Sequence, residues 1–219
     1  MYATLSADIV SSTSLSKEGT IDLKQKINSL FQLLEEKFPG FWGRQIKGDY
    51  IECFIPKVSD SFRIALIIKS YIKSITLPDI KRSKNFQTYG IRIAIGIGDM
   101  RIVDKEEGIL DGEAIYLSGR TIENMTSLNR GTLSIQINGD IQSSALNTIA
   151  VLTDALMNNA TRKQNEVLFY KLLSFKEDDI AKILGISQPG VNIHSTSAKW
   201  NCIEEALNYF EQINFENYE

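Results

Sequence analysis

Strand-like runs stop at Asp140. Up to that residue, short β-branched and alternating runs interleave with stretches of helical periodicity. Beyond it, every apolar pattern repeats at three and four residues. A strand or a helix buries one face and needs a partner layer, so such a chain must fold as a sheet-and-helix unit followed by an all-helical one. The 219 residues, 43% hydrophobic and 23% charged, are enough for one or two units with an ordinary core. The expected organisation is a sheet unit at 1–140, a helical linker at 141–160 and a helical unit at 161–219.

Within the first unit, YATLSADIV reads as a strand and Thr20 to Phe38 as an amphipathic helix that Pro39-Gly40 ends. Residues 42–55 read as two short strands around Gly48-Asp49, a hairpin signal. Asp60 to Ile75 reads as a second helix capped by Asp or Ser, and residues 79–90 as a polar loop. GIRIAIGIGDMRIV reads as a strand pair, Glu113 to Met125 as a third helix and Gly131 to Ile137 as a last strand. A βαββαβ core in this order implies an α+β, ferredoxin-like fold, an antiparallel sheet with helices on one face. The tail FENYE is expected to fray.

Several chemistries are excluded early. Cys53 and Cys202 lie far apart, no CxxC or Cys/His cluster exists, and His194 is the single histidine. That speaks against a zinc site and leaves one histidine for any nucleophilic triad. Two scattered cysteines suit a reducing, cytoplasmic setting. No leader pattern is evident, and no apolar run approaches the ~18 residues of a membrane span. A net charge of −3 gives no global nucleic-acid signature, although a local patch would be enough.

The segment DDIAKILGISQPGVNIHSTSAKW has helix-turn-helix spacing. Ile180, Ala181 and Leu184 form the inner face of a first helix. Gly185 suits the left-handed turn, Ile186 plugs the core, and Ser187 caps a second helix with Pro189 in its first turn. Val191 and His194 are expected to face inward, with His194 packed and hydrogen-bonded. Gln188, Pro189, Asn192, Ile193, Thr196 and Lys199 are left outward, where a recognition helix would meet base edges. Six basic side chains against nine acidic ones in 161–219 make this a poor phosphate binder, so dimerisation would help it.

In the first unit, Asp8 ends an apolar run and precedes Ser11-Ser12-Thr13-Ser14. A carboxylate at the end of a core strand needs a partner. If the first strand and the Gly48-Asp49 hairpin are neighbours, Asp8 and Asp49 converge at one end of the sheet. Two carboxylates with a backbone carbonyl, that of Ile9, suit Mg²⁺ or Mn²⁺ carrying phosphates. The Ser11, Ser12 and Thr13 amides and hydroxyls would cradle a triphosphate.

ADIVSSTSLS, IKGDYIECF, IRIAIGIGDM and DGEAIYLSGR fall in the order and spacing of class III nucleotidyl cyclase domains. With ILGISQPGV added, the chain resembles the bacterial SatD-like family, a cyclase-type domain followed by a helix-turn-helix. The resemblance implies that Asp8 and Asp49 match the metal carboxylates and Arg120 the phosphate-stabilising arginine. Tyr116 stands where the cyclases have their transition-state asparagine. Gln45 and Ile109 replace the base-reading lysine and aspartate. Metal and triphosphate features are kept while the base-reading pair and one catalytic group are not, so the site reads as degenerate. Loss of one such donor costs about 10²- to 10³-fold in rate. Cyclase-type sites form between two subunits, which implies a homodimer.

Three functions follow as expectations. The first is a DNA-binding transcriptional regulator whose dimerising, degenerate cyclase-like domain senses a nucleotide. The second is a metal-dependent nucleotidyl cyclase or NTP hydrolase. The third is a catalytically inert dimerisation and protein-interaction module.

Overall fold

The computed structural model describes residues 1–46, 48–77, 83–125 and 131–215, with the backbone alone at 140–142. The strands are β1 (Tyr2–Ile9), β2 (Trp42–Ile46), β3 (Tyr50–Ile55), β4 (Ile91–Gly98), β5 (Met100–Asp104), β6 (Ile109–Gly112) and β7 (Leu133–Ile137). The helices are α1 (Lys17–Lys37), α2 (Ser61–Ser74), α3 (Lys84–Tyr89), α4 (Glu113–Asn124), α5 (Asp140–Asn159), α6 (Arg162–Leu172), α7 (Glu177–Leu184), α8 (Gln188–Ser197) and α9 (Trp200–Glu211). Five strands form one sheet in the order β2-β3-β1-β4-β7, and β5 pairs with β6 apart from it. β1 runs antiparallel to both β3 and β4, while β4 and β7 are parallel. The fold is thus mixed α and β with a mixed sheet, where an antiparallel one was expected.

The two faces of the sheet follow from the period of two along β1. Ala3, Leu5, Ala7 and Ile9 are buried in the main core with Leu23, Ile27, Leu30 and Leu34 of α1 and the apolar side of α2. Thr4 and Ser6 point the other way, and both hydroxyls lie 2.9 Å from the Ser118 hydroxyl of α4. Gly96 lets α4 lie this close, since a Cβ there would collide with the Ala114 carbonyl and the Ser118 amide. Helices therefore cover both faces. The expectation of one covered face fails because the chain leaves β4, crosses by way of α4 and returns as β7 parallel to it.

Other local readings are corrected. β4 and β5 are not partners; β5 pairs instead with residues 109–112, too short and polar a run to read as a strand. The supposed loop at 79–90 contains α3, capped by the Ser83 hydroxyl accepting from the Phe86 amide. Phe86 is its one buried residue, which leaves no periodicity to read. Residues 78–82 lie outside the described residues. The Asp60 side chain makes no capping bond at α2. In the tail, Phe215 is buried, its ring 5.2 Å from that of Phe210; residues 216–219 lie outside the described residues.

The expected linker is the body of α5, whose Leu146, Ala150 and Met157 belong to the main core. So do Leu168, Phe169 and Leu172 of α6 and Ile203, Leu207 and Phe210 of α9. The rings of Phe62 on α2 and Phe210 are 5.3 Å apart, and those of Tyr71 and Phe169 are 5.2 Å apart. Arg63 of α2 pairs with Glu211 at 2.5 Å and donates to the Leu172 carbonyl at 3.1 Å. A second, small core of Val167, Ile180, Ala181 and Val191 holds α7 and α8 onto α6.

Candidate functional site

β1 ends at Ile9, and the chain then turns through Ser11 (φ 61°) into a short 3-10 turn at Ser12–Ser14. The Ser16 hydroxyl starts α1 by accepting from the Gly19 amide. The β2–β3 turn closes beside this loop, since the Ile9 amide donates to the Asp49 carbonyl at 3.3 Å. Asp8 and Asp49 thus meet at one end of the sheet, as the sequence led us to expect. The Ser12 hydroxyl donates to the Asp49 carboxylate. Arg92 stands directly across from Asp8 in the β1–β4 register and forms an ion pair with it. The same guanidinium donates to the Met125 carbonyl at the end of α4, at 2.6 Å.

Arg92 is therefore the partner that Asp8 needs, and the sequence reading missed it. The available signal was a lone charge within the buried run IRIAIGIG, one residue out of step with the core-facing isoleucines Ile91, Ile93, Ile95 and Ile97. Burial pushes the Asp8 carboxyl above its ordinary range, the Arg92 ion pair pulls it back, and the neighbouring Asp49 carboxylate pushes it up again. A cleft of about 290 Å³ is lined by Asp8, Ile9, Val10, Ser11, Ser12, Thr13, Asp49 and Arg92. A second cavity of about 250 Å³ shares Ser12, Thr13 and Asp49 and adds Leu15 and Leu23.

Two carboxylates supply part of the oxygen shell of a hard divalent cation. Among the described residues no group of three or more His, Cys, Asp or Glu extends it. The pair fits such an ion only if phosphate or water oxygens complete the shell, and the ion would have to take Asp8 from Arg92.

Of the residues carried over from the cyclases, Asp8 and Asp49 line this cleft, whereas Tyr116, Arg120, Gln45 and Ile109 do not line it within one chain. The Tyr116 hydroxyl donates to the Asp111 carboxylate, which also pairs with Arg101. Those bonds, Tyr116 first and Arg101 second, hold the Asp111 carboxyl below its ordinary value. Arg120 is exposed one turn further along α4, and Ile109 is half exposed on β6. Gln45 lies on β2, donates to the Gly48 carbonyl and leaves its buried Oε1 without a partner among the described residues.

At the other end of the molecule, α7 and α8 are joined by Gly185, Ile186 and Ser187, with Gly185 left-handed at φ 64°. The Ser187 hydroxyl accepts from the Gly190 amide and starts α8. Gln188, Pro189, Asn192, Ile193, Thr196 and Lys199 are all exposed, with Ile193 at 64%. Gln188 donates to Glu177 at 2.6 Å, and Lys171 holds the other Glu177 oxygen at 3.0 Å. His194 is only half-buried; Ser195 takes the inward place beside Val191, because the inner face steps by four residues rather than three. No family model matches the chain, and no curated protein matches it.

Proposed function

We propose that this protein is a DNA-binding regulator in which a nucleotide-sensing sheet unit is joined to a helix-turn-helix. The observation that carries the reading is the α7–turn–α8 unit. It sits on a core of its own and leaves the outer side of α8 exposed over Gln188, Pro189, Asn192, Ile193 and Thr196. Such a helix is placed to enter a major groove with its N-terminal residues on base edges. Asn192 offers a bidentate amide and Ile193 an apolar contact of the kind a thymine methyl accepts. Lys182 and Lys199 are the cations nearest that surface in sequence, so few phosphates are neutralised and a shallow salt dependence follows.

The order β2-β3-β1-β4 with antiparallel neighbours is that of a ferredoxin-like sheet, to which β7 adds an edge. This supports the cyclase-like and SatD-like reading and with it a homodimer. The Asp8–Asp49 cleft would then hold a nucleotide, its phosphates on the Ser11–Thr13 loop. A Mg²⁺ or Mn²⁺ ion would be held by Asp8, Asp49 and the Ile9 carbonyl, and would supply charge neutralisation of the phosphates. Ligand binding shifts DNA affinity if the ligand prefers one dimer arrangement.

The test is selection of random duplexes on the full chain at low salt, followed by anisotropy titrations. Enrichment of a sequence, with binding weakened by Asn192→Ala, is the expected result. No binding at low salt would overturn it and favour protein contact through the same helices. A second reading, turnover of a nucleoside triphosphate, draws on the convergence of Asp8 and Asp49. It predicts product formation with Mn²⁺ that Asp8→Asn abolishes.

A further inference from the structure

Away from the Asp8 cleft, a cavity of about 590 Å³ opens where the end of α2, α3, the end of α5 and the start of α6 meet. That volume is in the range of small-molecule sites. Its wall combines Lys73, Thr88 and Asn158 with Ile75, Leu77 and Ala160.

Lys73 is buried. Its ammonium donates to the carbonyls of Thr88 at 2.6 Å, Met157 at 2.6 Å and Asn158 at 3.1 Å. These bonds satisfy its protons, and among the described residues no carboxylate forms an ion pair with it. One turn earlier on α2, the fully buried Lys69 pairs with Asp154 at 3.0 Å. Asp154 is also committed to the Thr132 amide and hydroxyl, at 2.6 and 2.8 Å. Two buried ammonium groups thus share one carboxylate. Among the described residues, the charged groups facing Lys73 are Lys69 from α2 and Asp154 from α5. From α6 the cavity receives Arg162, already paired with Glu166, and α3 meets the ammonium with a backbone carbonyl. Burial first, and Lys69 second, push the Lys73 amine down to about 7.

A buried charge with no carboxylate partner among the described residues is costly, and a single negative charge beside it relieves that cost. Ile75, Leu77 and Ala160 give the wall an apolar part among the polar Thr76, Gln87, Asn159 and Thr161. We propose that this cavity binds a small monocarboxylate with an apolar body, its carboxylate beside Lys73 and its body against Ile75, Leu77 and Ala160. Such a ligand would bridge α2 and α3 to α6, the helix on which α7 and α8 rest.

The experiment is calorimetric titration of the full chain with hexanoate and benzoate, with acetate and inorganic phosphate as controls. At pH 8 the carboxylate should draw a proton onto Lys73, so the heat will depend on the ionisation enthalpy of the buffer. Above pH 7 the affinity should fall toward roughly tenfold per unit, the limit for a one-proton linkage. Asn159→Asp, at an exposed position of the wall, adds a competing carboxylate without touching the buried cluster and should weaken binding at least tenfold. Asp8→Asn should leave binding unchanged. Lys73→Met should remove both binding and proton uptake; if it fails to fold, Asn159→Asp still decides. No heat with either carboxylate, no proton uptake, indifference to Asn159→Asp, or a preference for phosphate would each overturn the proposal.

The ligand-free protein gives an independent reading. The unfolded lysine titrates near 10.5 and the folded one near 7, so the charge costs stability below pH 7 and the cost fades as pH rises toward 10. Melting temperature should rise over that window, and Lys73→Met should flatten the rise.

Discussion

Arg92 and Asp8 face each other across two central strands, each side chain 22% exposed. Removing one member strands the other in a half-dry site. Arg92→Met should lower stability by about 1–3 kcal/mol. Adding Asp8→Asn to it should restore part of that loss, which a double-mutant cycle in urea measures. Full additivity would mean that the pair contributes nothing. At this scale the sequence told half of the story. Asp8 and Asp49 were legible because a carboxylate closing an apolar run and a Gly-Asp turn are local signals. Arg92 was not, because its role depends on which strand lies beside β1. Tyr116, Arg120, Ile109 and Gln45 were named by resemblance alone, and within one chain they lie apart from the cleft.

At the scale of elements, α7 and α8 were readable to within three residues, since a turn glycine, one capping serine and a Pro in the first turn of α8 all agree. The short elements were not. α3 has a single buried residue, and β6 pairs only with β5. The inner face of α8 was misread by one step, which exchanged His194 for Ser195. The inward and outward sides now make a quantitative contrast. Val191→Ala empties part of the small core and should cost about 1–3 kcal/mol. Ile193→Ala lies on the open side and should change stability by less than about 0.5 kcal/mol, while weakening DNA binding. Thermal denaturation of the two variants checks the first part. Equal destabilisation would mean that α8 is turned the other way.

For the whole molecule, the decisive feature is that the apolar core does not stop at the expected boundary. α6 and α9 join it through α2, and α5 runs along β7. Periodicity reports which face of an element is apolar; it does not report which neighbour covers it, so a change of pattern at Asp140 looked like a seam. The two tryptophans offer a test, Trp42 in β2 and Trp200 at the start of α9. Single-tryptophan variants, Trp200→Phe and Trp42→Phe, should report the same denaturant midpoint, because one continuous core unfolds cooperatively. Midpoints that differ clearly would restore two independently folding units.

The outer edge of β7 carries a last consequence. The Ile135 amide there donates to the Asn147 side chain of α5 at 3.2 Å, and the Ile137 amide reaches the Ser143 hydroxyl at 3.5 Å. The same Asn147 oxygen also takes the Ser134 hydroxyl at 2.7 Å. Donors engaged in this way cannot template the strand of another molecule, so the sheet is terminated on this side by two side chains rather than by charge or proline. Growth by strand addition is therefore directed away from β7 for as long as α5 stays docked on it.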